Sequence, residues 1–124
     1  MNFELKIFVI QNSKKERSYS FALKVIGLYR DLLGQKEYVL SRQLLKAGTS
    51  VGANVEEAVA GQSRADFLSK MSIASKEARE TKYWLRLLRD SGLSNNQSLH
   101  ELLEESEEII RMLTAIVKTT KQSR

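Results

Sequence analysis

Cysteine is absent from this chain, and so is proline. The first absence removes disulfide frameworks, thiolate zinc sites and cysteine nucleophiles together, and it fits a reducing compartment. The second means that nothing in the sequence forces a helix to break. Histidine occurs once, at His100. One imidazole leaves little for general acid–base chemistry, and no Ser/His/Asp set is visible. Long apolar runs are missing too: no stretch approaches the roughly 18–20 residues that span a bilayer. The amino terminus, MNFELKIFVI, carries Glu4 and lacks a cleavage pattern of small residues. It is read as neither signal peptide nor anchor, so a cytoplasmic protein without membrane contact is the expectation.

What is present suits one domain. The chain has 124 residues with a 42% apolar fraction, enough for one compact core. Twenty basic residues against 15 acidic ones leave a net charge of +5. Such an excess permits nucleic-acid contact without demanding it.

Helical periodicity dominates. Ser13-Lys14-Lys15-Glu16 fits a capping box, and Phe21, Ala22, Val25, Ile26, Tyr29, Leu32 and Leu33 follow at helical spacing up to Gly34. A second stripe joins Leu40, Leu44, Val51, Val55 and Ala58. Ser63 with Asp66 reads as an N-cap for a third helix carrying Phe67, Met71, Ala74, Ala78, Trp84, Leu85 and Leu88, closed by Gly92. Ser94-Asn95-Asn96-Gln97 reads as another capping box, ahead of Leu99, Leu102, Leu103, Ile109, Ile110, Leu113 and Val117. This fourth segment is acidic at its start and basic at its end, which complements the helix macrodipole.

These patterns predict an all-α, antiparallel up-down four-helix bundle over residues 13–124, with helices at about 14–33, 37–61, 64–91 and 95–121. Residues 1–12 stand apart as a short arm or irregular segment. Phe3, Leu5, Ile7 and Val9 alternate with Glu4 and Lys6, the pattern of an extended piece.

The stretch AGTSVGANVEEAVAGQS, residues 47–63, weakens a helix with glycines that cost about 0.5–1 kcal/mol each relative to alanine. Gly48 and Gly52 lie four apart, on the face that carries Val51 and Val55. They are read as a close helix crossing, with Trp84 or Tyr83 as the bulky side chain that fills the space. A phosphate-cradling loop is excluded because the Gly-x-x-x-x-Gly-Lys-Ser/Thr pattern is missing.

Glu56 falls at the edge of an apolar sector, Glu77 inside one, and Glu80 between Trp84 and Leu87. Buried carboxylates require partners, so Asn54, Glu56, Glu77 and Glu80 are candidates for a buried polar network. A di-metal carboxylate centre fails on spacing, since it needs two Glu-x-x-His units and His100 follows Gln97. No metal ligand set and no cofactor site is assigned. His100 itself is expected at the surface, beside acids.

Lys76, Arg79, Lys82, Arg86 and Arg89 recur every three or four residues, and all but Lys76 fall within an arc of about 80° on a helical wheel. Two readings stand side by side. One is a solvated face paired to Glu80 and Asp90; the other is a footprint for nucleic-acid phosphates. Lys14, Lys15, Arg17, Lys24 and Arg30 could supply a second strip. No recognition helix and no aromatic platform is visible, so any binding would follow shape and charge.

Three segments together carry a resemblance: Ser50-Val51-Gly52-Ala53-Asn54-Val55-Glu56-Glu57-Ala58, then Ser63 with Asp66-Phe67, then Lys76-Glu77-Ala78-Arg79-Glu80-Thr81. Over about residues 14–120 the chain resembles the four-helix-bundle proteins encoded by intervening sequences in bacterial 23S ribosomal RNA genes. That family is similar in turn to the accessory variability proteins of diversity-generating retroelements. The resemblance implies a left-handed bundle that forms a homo-oligomeric ring, typically a pentamer. The retroelement relatives imply basic outer surfaces that bind nucleic acid and a reverse transcriptase. The expected function is therefore a non-enzymatic bundle that binds RNA or DNA non-specifically as a scaffold or accessory factor. The alternative is a structural or protein-interaction module, with a reverse transcriptase or another protein as partner.

Overall fold

In the computed structural model, the backbone is described for residues 3–122 and the side chains for residues 13–122. Four helices follow in chain order: α1 (Phe3–Gly34), α2 (Leu40–Ala60), α3 (Arg64–Asp90) and α4 (Gln97–Gln122). Among the described residues there is no strand.

Successive helices run antiparallel, as the cross-contacts show. Gly48 of α2 faces Val25 of α1, and Gly52, one turn on, faces Ser18, further back along α1. Arg79 of α3 reaches Thr114 of α4, while Lys82 reaches back to Glu107. The helices pack in the cyclic order α1–α2–α3–α4, with α1–α4 the sparsest of the four seams. Two ion pairs bridge that seam, Arg17 with Glu108 and Lys24 with Glu105.

Each helix contributes one buried stripe. In α1 it is Phe21, Val25, Leu28 and Leu32, spaced by four, three and four residues. Leu28 thus belongs to the core, and Ile26 is turned outward with 36% exposure. Leu44, Val51, Val55 and Ala58 enter from α2; Phe67, Met71, Ala74, Ala78, Leu85 and Leu88 from α3; Leu99, Leu102, Leu103, Ile109 and Leu113 from α4. Full burial of one such large apolar side chain is worth about 1.5–3 kcal/mol, so these stripes dominate the stability of the bundle.

Several helix ends differ from the sequence reading. The backbone of residues 3–12 continues α1 and is not extended, and Ser13–Glu16 lies inside this helix and not at its start. No glycine or proline interrupts residues 3–26, and an established helix propagates at little cost. Packing of the arm on a neighbouring subunit concerns side chains that lie outside the described residues.

At the far end of α1 the left-handed residue is Lys36, with φ 64°, and not Gly34. The amide of Glu37 donates to Leu32 O at 2.9 Å and that of Lys36 to Leu33 O at 2.9 Å, the pair of bonds of a Schellman motif. Glu37 then precedes α2 and caps it. Its carboxylate accepts from the amides of Val39, Leu40 and Ser41 at 3.0, 3.2 and 3.0 Å. Ser63 caps α3 by accepting from the Asp66 amide at 3.1 Å. For α4 the cap is Asn96, whose Oδ1 accepts from the Leu99 amide at 2.9 Å. Ser94, expected in that role, is buried with its hydroxyl unpartnered.

Candidate nucleic-acid interface

The glycine pair of α2 sets the α1–α2 crossing. A Cβ on Gly48 would stand 2.7 and 2.8 Å from the two γ-carbons of Val25, and one on Gly52 would stand 3.2 Å from the carbonyl oxygen of Ser18. A side chain at residue 48 therefore forces Val25 to shift, and one at residue 52 forces the Ser18 backbone to give by a few tenths of an ångström. Trp84 and Tyr83 are not the fillers. The space belongs to α1, while Trp84 packs half-buried against the core and Tyr83 is 51% exposed. The two rings meet edge to face, with centroids 5.1 Å apart.

The four polar residues expected to form a buried network do not form one. Glu56 and Glu80 are exposed. Asn54 is half-buried, and its Nδ2 donates to Ser50 O of its own helix at 2.8 Å. Glu77 is half-buried, and its carboxyl is held above the ordinary value of 4.5. Burial is the first cause, then a hydrogen bond with Glu80 and the charge of Glu80; Lys76 and Lys46 pull the other way. The helical wheel placed these carboxylates near the apolar sector, but their length lets them reach water at its edge. His100 is half-buried, 3.4 Å from Asn95 Oδ1. Among the described residues no group of three or more His, Cys, Asp or Glu could hold a metal ion.

The basic series of α3 lies largely outside the core, and Arg79 and Lys82 reach α4. Lys76, Arg79, Arg86 and Arg89 are exposed and Lys82 is half-buried. Their surroundings differ. Arg79 donates to the Thr114 hydroxyl at 2.8 Å, so its charge meets a neutral group. Lys82 pairs with Glu107 at 3.6 Å, and Arg89 with Asp90 at 2.7 Å. The Arg89 hydrogen bond is the main reason that the Asp90 carboxyl sits below its usual range. Lys76 and Arg86 have no hydrogen bond or ion pair within the described residues. Helix α1 behaves similarly: Arg17 and Lys24 are engaged by the α4 acids Glu108 and Glu105. The acidic first half of α4 is thus flanked by cations from both neighbours. This cross-helix neutralisation could not be read from any single helix.

The comparisons with known proteins are consistent with this geometry. The family model described as 23S rRNA-intervening sequence protein matches residues 11–115. The chain belongs to the 23S rRNA-intervening sequence protein family. A solved member of the S23 ribosomal protein family from Bacteroides thetaiotaomicron VPI-5482, a protein of unknown function, is similar at 45% identity and a TM-score of 0.80. The match covers 84% of this chain and 97% of that one. No curated protein matches. The solved S23-family structure shares the fold of this intervening-sequence family protein over that range. No helix among the described residues is long and apolar enough to cross a membrane.

Proposed function

We propose that this intervening-sequence family protein is a non-enzymatic, oligomeric helical bundle of the cytoplasm that binds RNA or DNA without sequence specificity. The observation that supports this reading is the set Lys76, Arg79 and Arg86, exposed on α3 with no carboxylate within ion-pair distance among the described residues. Lys82 and Arg89 contribute less, because Glu107 and Asp90 already answer them. If each of these three cations neutralises one phosphate, the log–log salt slope is about −2.7 on duplex DNA and about −2.1 on single strands for each protomer engaged. A mobility-shift assay with a structured RNA at about 50 and 200 mM salt tests this. Affinity should fall roughly 20- to 40-fold per engaged protomer. No retention at the lower salt would reject the reading.

A second reading, a protein-interaction module, is favoured by a different observation. Tyr19, Leu23 and Ile26 are 58%, 53% and 36% exposed, and their spacing of four and three residues puts them on one outward face of α1. An exposed apolar stripe of this kind suits a protein contact. Copies of the same chain, in a pentameric ring by resemblance, or a partner such as a reverse transcriptase would cover it. Sedimentation of the chain alone separates self-association from a partner that must be added.

A further inference from the structure

Between α3 and α4, at the end where α4 finishes, Ser72, Ser75, Arg79, Thr114, Val117 and Lys121 line a groove of about 250 Å³. None of the six is acidic. The surrounding stretch of α4 has the same bias: residues 109–122 hold Arg111, Lys118 and Lys121 and no carboxylate. The carbonyls that end α4 would ordinarily repel an anion. Here the Arg64 guanidinium donates to the carbonyls of Thr120 and Lys121 and offsets that negative end.

The hydroxyls of the groove are not equivalent. Ser72 donates its proton to Leu68 O at 2.8 Å, so it has none to offer a ligand. Thr114 accepts from Arg79, which leaves its own O–H free to donate. Ser75 is only 9% exposed, lines the groove, and has no hydrogen-bond partner among the described residues. Its Oγ is not sealed from solvent, so the hydroxyl opens onto the groove, where its proton is available to a ligand. The free donors are therefore two neutral hydroxyls and two cationic side chains, beside the apolar wall of Val117. Such a set matches a compact oxyanion with several acceptor oxygens. The volume lies below the roughly 300–1,000 Å³ of pockets that hold whole drug-sized ligands, which points to a single group.

We propose that this groove is a phosphate-binding site. Arg79 and Lys121 hold the charge, and Ser75 and Thr114 donate hydrogen bonds to the phosphoryl oxygens. The phosphate is either a free monoester or one phosphodiester of a nucleic-acid strand. The site shares Arg79 with the proposed RNA-binding surface, but Lys76 and Arg86 lie outside the groove, and inorganic phosphate alone should fill it.

The test is a titration of the isotope-labelled full chain with inorganic phosphate at low ionic strength, followed by backbone amide shifts. Saturable shifts centred on Ser75, Arg79 and Thr114 are expected. Ser75→Ala should weaken binding about two- to tenfold, and Arg79→Gln with Lys121→Gln more than about tenfold, with the remaining spectrum unchanged. Shifts that never saturate, or variants that titrate like the parent, overturn the site. A double variant Arg86→Glu, Arg89→Glu should bind phosphate as the parent does; its failure to do so overturns the groove as a separate site. Competition by adenosine 5′-monophosphate but not by a dinucleotide without terminal phosphate assigns a monoester. Competition by the dinucleotide assigns the nucleic-acid backbone.

Discussion

Gly48 and Val25 touch so closely that a single added carbon at residue 48 would lie 2.7 Å from a Val25 methyl. Val25 is fully buried and cannot swing into solvent. Together with Gly52, which lies against the Ser18 backbone, this missing side chain sets the distance between α1 and α2.

Gly48→Ala should lower stability by about 1–3 kcal/mol, and Gly52→Leu should cost more, because its obstacle is the Ser18 backbone. Gly27 is the control: a Cβ there meets nothing within 4 Å. Gly27→Ala should be neutral or stabilising by up to about 1 kcal/mol, through helix propensity alone. Urea midpoints of the three variants check this ranking. An unchanged Gly48→Ala protein would mean that the crossing is looser than described.

Glu37→Ala removes the acceptor of the Val39, Leu40 and Ser41 amides at the start of α2. The expected loss is about 0.5–2 kcal/mol, comparable to that from Ser63→Ala at the start of α3. Thermal melts of the two variants measure it. Ser94→Ala should cost less than either, since that hydroxyl has no partner to lose.

Glu77 carries a pH signature. Its folded pKa lies above the ordinary 4.5, so the folded state binds its proton more tightly than the unfolded chain. Stability from this group is therefore greatest at low pH and declines as pH rises from about 4.5 through the raised folded value. Glu77→Gln keeps the side-chain shape without the charge. It should be more stable than the parent at about pH 8, with the advantage vanishing near pH 4. Urea titrations at the two pH values read the difference. An advantage that grew toward acid would reverse the assignment.

Arg86→Glu combined with Arg89→Glu should weaken RNA retention and leave the bundle folded. Arg86 has no ion pair within the described residues, and the pair from Arg89 to its neighbour Asp90 is exposed. Exposed pairs contribute about 0–1 kcal/mol, so the melting temperature should move little. Unfolding of this variant would make the arginines structural and remove them from the interface.

The all-helical character of this protein was legible in its sequence because it depends on local spacing. Phe21, Val25 and Leu32, or Leu102, Ile109 and Leu113, mark an apolar stripe whichever helix they meet. Ser63 was legible as a cap because its bond closes within three residues. What covers each stripe is a different matter. Only the tertiary structure placed Val25 and Ser18 opposite the α2 glycines, and only it turned Lys82, Lys24 and Arg17 toward the acids of α4. Those pairs join residues tens of positions apart, so no periodicity encodes them. The same holds for the groove near Ser75, whose hydroxyls and cations come from two antiparallel helices and meet only once the shared core has brought those helices together.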